Sequence, residues 1–189
     1  MHKKIKKNKL LFIMIILTII SFIIGILFSV LTSEENKIVI ADNINLLVNN
    51  KLVIPKNIFI NNILITTSIY LLGISVIGLI IILPIYFFKA FILSFETISL
   101  ITTLKLKNII VIFLYLLPNI INLIIYFIIC YYAINYSIYL IKNLFFNKKY
   151  NMYLITRKYL VIFLITLLLI ILSSSLEIFI LPKLKLLIK

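Results

Sequence analysis

Side chains that carry out catalysis are scarce in this sequence of 189 residues, which has one histidine, one cysteine and five acidic residues. The only histidine, His2, lies in a basic N-terminal segment, so Ser–His and Cys–His nucleophiles and histidine metal sites are excluded from the apolar part of the chain. The single cysteine, Cys130, excludes an intrachain disulfide and is expected to act as a small buried apolar residue.

Acidic residues and glycines set two further limits on function. The five acids are spread over loops and helix ends, whereas cleavage of a glycosidic bond needs two carboxylates about 5–10 Å apart in a wet cleft. With three glycines the chain has no Gly-rich phosphate loop, which excludes ATP hydrolysis through a P-loop. We therefore predict that the protein is not an enzyme, takes no cofactor or metal, and instead binds, positions or conducts.

Apolar residues dominate what is present: they make up 64% of the chain, the mean hydropathy is +1.26, and only 13% of residues are charged. Ordinary globular chains carry about 25% charged residues, so the composition predicts a membrane protein. We expect one integral membrane domain over residues 1–189, an all-α polytopic transmembrane helical bundle with about five spans in the lipid bilayer and one short outer amphipathic helix. The net charge of +14 is interpreted as membrane-flanking anchors, with no nucleic-acid partner.

The first predicted span covers residues 10–31 and follows a cluster of lysines, namely Lys3, Lys4, Lys6, Lys7 and Lys9. At about 22 residues the run is longer than the 7–15 residues of a signal-peptide core, so we interpret it as a transmembrane helix with a cytoplasmic N-terminus. Ser21, Gly25 and Ser29 recur every four residues and form one ridge of small residues. Such a ridge packs either inside the chain's own bundle or against another chain in a homo-oligomer.

Residues 32–60 are predicted to lie outside the membrane. Within them, apolar residues recur at helical spacing at Ile40, Ile44, Leu47, Val48 and Leu52. We expect a short amphipathic helix on the outer membrane face, with Ile44, Leu47 and Val48 as candidates for contact with a partner. Packing of this helix onto the chain's own bundle is equally compatible with the pattern.

Residues 61–101 form a long apolar stretch, and about 40 residues at 1.5 Å rise each suffice for two spans. Gly73, Gly78 and Pro84 are the candidate positions for a turn or a kink. We predict a helical hairpin with its turn near residues 78–84.

Residues 108–141 are apolar over about 34 positions, too many for one straight span. Pro118 divides this run, which is therefore either one long kinked helix whose first part lies shallow or re-enters, or two separate spans. Asn119, Asn122 and Tyr126 lie on one helical face, a placement suited to hydrogen bonds between helices.

Residues 142–158 are predicted to form a basic cytoplasmic loop, because it contains no acid and five cations: Lys142, Lys148, Lys149, Arg157 and Lys158. An even number of crossings must then precede the loop. The first span, the hairpin and one crossing through residues 108–141 give four. A last span over residues 159–177 carries the chain out, and a short outer tail containing Pro182 follows.

Three ionisable residues are expected in or near the bilayer. Lys89 lies near mid-depth of its helix, whereas Glu96 and Glu177 lie near the outer boundary. Seven residues separate Lys89 from Glu96, about 10.5 Å along a helix, which is too far for a direct pair without a third group. Either the two carboxylates form an outward-facing acidic surface that receives partner helices, or Lys89 snorkels to the cytoplasmic side and Glu96 pairs within the bundle.

The segment LLGISVIGLIIILPIYFFKAFILSF, residues 71–95, resembles the signature of the stage II sporulation protein M family, in which a glycine-containing turn runs into apolar residues and a Lys-Gly-Phe. That tripeptide reads Lys89-Ala90-Phe91 here, and Ala90 and Ser94 stand where the family favours glycine. Three further fragments agree in the family's order: NIFINNIL at residues 57–64, LPNIINL at 117–123 and LEIFILP at 176–182. The positions assigned to the family pattern or to a structural role are Gly73, Gly78, Pro84, Lys89, Glu96, Pro118, Asn119, Glu177 and Pro182.

The resemblance implies a scaffold. Members of this family act in endospore-forming bacteria during engulfment of the forespore by the mother cell. They hold two membrane-anchored peptidoglycan hydrolases, the stage II sporulation proteins D and P, in one complex at the septum. The resemblance thus implies a multi-pass protein of the cell membrane at the sporulation septum. The alternative is a membrane subunit of a transporter that pairs with a separate ATPase, which would dock on the basic loop.

Overall fold

The computed structural model describes the backbone of residues 2–32, 54–104, 109–146 and 150–187. These residues form five α-helices and no strand: α1 His2–Leu31, α2 Ile54–Gly73, α3 Gly78–Leu104, α4 Ile109–Phe145 and α5 Met152–Leu187. Four of the helices contain segments long and apolar enough to cross a membrane, and α2 contains a shorter apolar segment, Asn57–Gly73. The prediction of an all-α membrane bundle is therefore confirmed.

Helix α4 lies at the centre of the bundle and packs against α2, α3 and α5, whereas α1 packs mainly against α3. The interior contains large apolar side chains with no or almost no exposed surface, among them Ile69, Ile82, Tyr86, Ile129, Ile134 and Ile170. Many other large apolar side chains point outward on all four long helices. A water-soluble bundle would carry polar residues there, so the outer surface is one that lipid tails solvate.

The ridge of small residues on α1 packs against α3 of the same chain. Ser21 Oγ donates a hydrogen bond to the Phe87 carbonyl at 2.7 Å, and the Ser29 and Ser99 hydroxyls are 3.0 Å apart. A Cβ atom at Gly25 would lie against Ser94 Oγ and 2.6 Å from the Phe91 carbonyl oxygen. Of the two roles predicted for the ridge, the structure thus shows packing inside the chain's own bundle.

The hairpin turn is placed earlier than the sequence predicted. The chain turns at residues 74–77, and Gly78 begins α3, so the prediction of a turn at residues 78–84 is wrong. Pro84 lies inside α3. A proline removes one backbone hydrogen bond of its helix, and membrane helices tolerate this because neighbouring groups can bond to the freed carbonyl. A Cβ atom at Gly78 would collide with the backbone of Leu72, so only glycine lets α3 start this close to the end of α2.

Helix α4 is continuous over 37 residues, so the alternative of two separate spans in residues 108–141 is wrong. At 1.5 Å per residue it is about 55 Å long, more than the thickness of the hydrocarbon core. Pro118 lies inside α4 and is buried, and its carbonyl accepts a hydrogen bond from Ser173 Oγ at 3.3 Å. This contact ties α5 to α4 at the buried proline.

The predicted basic loop and outer tail are both shorter than expected. Helix α4 continues to Phe145 and α5 begins at Met152, so Arg157 and Lys158 are exposed residues of α5. Helix α5 also continues past residue 177 to Leu187, through the position of Pro182. The predicted boundaries were wrong because charged residues at a membrane surface do not by themselves end a helix. Asn151 does mark the start of α5, since its Oδ1 accepts a hydrogen bond from the Leu154 amide at 3.3 Å.

The predicted outer amphipathic helix, including Ile44, Leu47 and Val48, lies outside the described residues. The last residues of the predicted outer segment, 54–60, belong to α2, which begins at Ile54.

Candidate functional site: a polar cavity between the helices

Polar side chains from three helices line a cavity of about 130 Å³ inside the bundle. Helix α2 contributes one residue, α3 two and α4 three, namely Asn62, Lys89, Glu96, Asn119, Asn122 and Tyr126. The residues from α3 and α4 belong to segments that are apolar enough to cross a membrane. Polar groups at such depth usually face the bundle interior or a water-filled space and mark functional sites.

Asn62 connects three helices through its side chain. Its Nδ2 group donates to Ser174 Oγ of α5 at 3.1 Å, and its Oδ1 atom accepts from the Tyr126 hydroxyl of α4 at 3.1 Å. The backbone carbonyl of Asn62 accepts a further hydrogen bond from Thr66 Oγ1 at 2.8 Å. This network holds α2, α4 and α5 in one arrangement at the cavity.

Lys89 and Glu96 both lie in the cavity and are half-buried. The Lys89 ammonium nitrogen is 5.5 Å from the centre of the Tyr126 ring, a distance suited to a cation–π contact. Glu96 and Glu177 both attract the Lys89 ammonium electrostatically. Asn119 and Asn122 line the same cavity as Lys89 and Glu96, so it contains two amide groups besides the two charged ones.

Two oxygen atoms close to this region are buried without a hydrogen-bond partner: Asn122 Oδ1 and Glu177 Oε2. Asn122 is only 4% exposed, and Glu177 is half-buried on α5. One oxygen of Glu177 is therefore buried within the bundle, and Glu96 lines the cavity. A role of these two carboxylates in binding partner helices stays a prediction.

The glycine-containing turn lies away from the cavity and is held by α4 and α5. Ser137 Oγ of α4 lies 2.7 Å from the Gly73 carbonyl and 3.1 Å from the Ser75 carbonyl, and its hydroxyl donates to this pair. The Tyr159 hydroxyl of α5 donates to the Tyr70 carbonyl at 2.9 Å. A Cβ atom at Gly73 would meet that same Tyr159 hydroxyl, so the turn and α5 fit closely together.

Sequence reasoning found part of this arrangement. It placed Asn119, Asn122 and Tyr126 on one face of a helix, and the structure brings all three to the cavity. It missed the roles of Asn62 and Ser137, which depend on contacts between helices distant in sequence. The adjacent pair Asn61 and Asn62, within the fragment NIFINNIL, was the signal that could have pointed to Asn62.

One kind of metal site is absent from the part of the chain that the structure describes. Among those residues, no group of three or more histidine, cysteine, aspartate or glutamate side chains is arranged to hold a metal ion. Cys130 is fully buried and forms no disulfide.

Comparison with known proteins gives one result. No curated protein and no solved structure matches the chain. A protein family described as Stage II sporulation protein M matches residues 12–182, a range that takes in the cavity, the glycine-containing turn and parts of all five helices. The chain therefore belongs to the stage II sporulation protein M family.

Proposed function

We propose that the protein is a non-catalytic scaffold of the bacterial cell membrane that positions peptidoglycan-degrading partners at the sporulation septum during engulfment. The observation that carries this proposal is the family match over residues 12–182, which covers nearly the whole helical bundle. The partners are the stage II sporulation proteins D and P, which the resemblance of the motifs implies.

The position of α1 supports a role in binding membrane anchors. In its most apolar stretch only 17% of the helix is buried inside the bundle, against 28–39% in the other three long helices. Its outward face carries large exposed apolar residues, among them Phe12, Ile13, Ile16, Ile19, Ile23 and Leu27. Such a helix offers an apolar side to lipid or to the transmembrane segment of another protein, while its small residues keep it attached to α3.

The proposal is tested by deleting the gene in its host and by capturing the tagged protein from membranes of sporulating cells. We expect engulfment to stall in the deletion strain and proteins D and P to be recovered with the tagged chain. Normal spores in the deletion strain, or capture of neither protein, would contradict the scaffold.

The same capture tests whether Glu96 and Glu177 take part in partner binding. If they do, the variants Glu96→Gln and Glu177→Gln recover several-fold less of proteins D and P, because each loses a charge while keeping its shape. The matched control is Glu34→Gln, which changes an acid outside the predicted spans. If both variants recover as much of proteins D and P as the unaltered chain does, the two carboxylates do not take part in partner binding.

The polar cavity favours one second candidate function, a transporter subunit that pairs with a separate ATPase. In that case the captured sample contains an ATP-binding protein in place of proteins D and P. Arg157 and Lys158 are exposed at the start of α5, so their replacement by alanine would then release that protein.

A further inference from the structure

The cavity contains an oxygen acceptor that no group of the protein satisfies. Asn122 lines the cavity, is only 4% exposed, and its Oδ1 atom has no hydrogen-bond partner. Glu177 Oε2, on the neighbouring helix α5, is buried without a partner as well. Buried polar atoms in folded proteins are nearly always paired with protein, water or an ion. Both unpaired atoms are oxygens, so a guest must offer positive charge or a hydrogen-bond donor.

The charges around the cavity also favour a positively charged guest. Lys89 and Glu96 come from α3, Glu177 from α5, and the two carboxylates interact electrostatically with each other and with the ammonium group. Helix α4 adds the phenol groups of Tyr115 and Tyr126, and α2 adds the amide of Asn62. With all three groups ionised, one ammonium and two carboxylates leave one negative charge. A net charge among membrane helices is unfavourable unless a counter-charge is bound.

We propose that the cavity binds one monovalent cation, which Asn122 and Glu96 hold through their oxygen atoms while Glu177 balances its charge. The cation is an alkali metal ion. A cavity of about 130 Å³ has room for an alkali ion together with a few water molecules, since each water occupies about 30 Å³. Carboxylate and amide oxygens are the ligands that such hard cations prefer.

This cation site goes beyond the scaffold role and does not depend on it. All the residues involved belong to one chain, so the site can be tested on the purified full-length protein without any partner.

The first experiment measures the thermal unfolding midpoint in detergent at fixed ionic strength, with NaCl, KCl or N-methyl-D-glucamine chloride. A bound alkali ion raises the midpoint of the unaltered protein by about 2–5 °C over the organic cation, because it binds only the folded state. Asn122→Leu removes the unpaired oxygen and is expected to lose this difference. The matched control is Asn135→Leu on the same helix, where Asn135 Nδ2 donates to the Tyr131 carbonyl outside the cavity, and it should keep the difference.

Glu177→Gln provides a second variant in case Asn122→Leu does not fold, and it must lose the same difference. The infrared spectrum of the unaltered protein at neutral pH tests the other way of removing the charge. A protonated carboxyl band that disappears in Glu96→Gln or Glu177→Gln, without any alkali effect, would show that a proton neutralises the pair and would overturn the proposal. The proposal is also overturned if the unaltered protein shows no alkali effect, or if the folded Asn122→Leu variant keeps it.

Discussion

At the residue scale, Asn62 shows how one polar side chain fixes the arrangement of several membrane helices. Its amide donates to Ser174 and accepts from Tyr126, so one residue of α2 is bonded to α5 and α4. A hydrogen bond between helices in a membrane contributes about 0.6–2 kcal/mol. The hydrogen bond with Asn62 also holds the Tyr126 ring in place, and the Lys89 ammonium nitrogen is 5.5 Å from the centre of that ring.

We expect Asn62→Leu to lower the free energy of unfolding by about 1–3 kcal/mol, because two interhelical hydrogen bonds are lost. Asn61→Leu is the matched control, since Asn61 is the same residue type one position earlier and is exposed. Unfolding in detergent measures both variants. Equal stability of the two would show that the network around Asn62 contributes nothing.

Gly78 is the second residue whose identity the structure explains. A Cβ atom there would collide with the Leu72 carbonyl group, which belongs to the backbone and cannot move aside as a side chain would. We expect Gly78→Ala to destabilise the protein by at least about 2 kcal/mol, in the range typical of backbone strain. The neighbouring Ile77 is 66% exposed, so Ile77→Ala should leave the unfolding midpoint nearly unchanged. A Gly78→Ala protein as stable as its control would contradict this account of the turn.

Residue types and spacing were sufficient to predict the polar face of α4 and the ridge of small residues on α1. They were not sufficient to predict the cavity. Asn62, Lys89 and Asn122 come from three helices, and only the packing of those helices decides whether the three side chains meet.

At the element scale, the pairing of α1 with α3 rests on small side chains. Ser21 and Gly25 allow close approach, and Ser29 meets Ser99 at 3.0 Å. Ala90 and Ser94 of α3 are buried, so small side chains occur on both sides of this contact. Because no hydrophobic driving force exists between helices in lipid, this close fit is what holds α1 in place.

A pair of cysteines tests the contact between α1 and α3. We expect Ser29→Cys and Ser99→Cys to form a disulfide under mild oxidation in a Cys130→Ala background, because the two side chains already touch. Adding Gly25→Leu should prevent the cross-link, since a large side chain would collide with the Phe91 carbonyl. Adding Ile24→Leu, which changes an exposed neighbour, should not. Mobility on a non-reducing gel measures both, and a cross-link that survives Gly25→Leu would contradict the packing.

The ends of the helices were harder to predict from the sequence than their existence, because the membrane changes which residues end a helix. The apolar runs located all five described helices, but Pro84 was interpreted as part of a turn and the charges at Arg157 as part of a loop. In lipid, backbone groups have no water to bond with, so a helix continues through residues that would end it in water. The position of the hairpin turn depends on contacts in the folded bundle, namely the fit of Gly78 against Leu72 and the hydrogen bonds from Ser137 and Tyr159.

At the scale of the whole molecule, the side of the membrane on which the later parts of the chain lie depends on whether α2 crosses it. Its 20 residues are about 30 Å long, close to the thickness of the hydrocarbon core, although its apolar segment is shorter than those of the other helices. If α2 crosses, four crossings separate the N-terminus from the connection between α4 and α5. The scaffold proposal relies on this topology because it places the basic residues inside the cell and the end of α5 outside.

The most direct test of this account is therefore the location of a reporter inserted after Tyr150, in the connection between α4 and α5, compared with one at the N-terminus. Paired fusions to alkaline phosphatase, active only outside the cytoplasm, and to a fluorescent protein that folds only inside it measure each site. The account predicts that both sites are cytoplasmic. A reporter after Tyr150 that is active only on the outer side would contradict the five-span bundle and the orientation on which the proposed function depends.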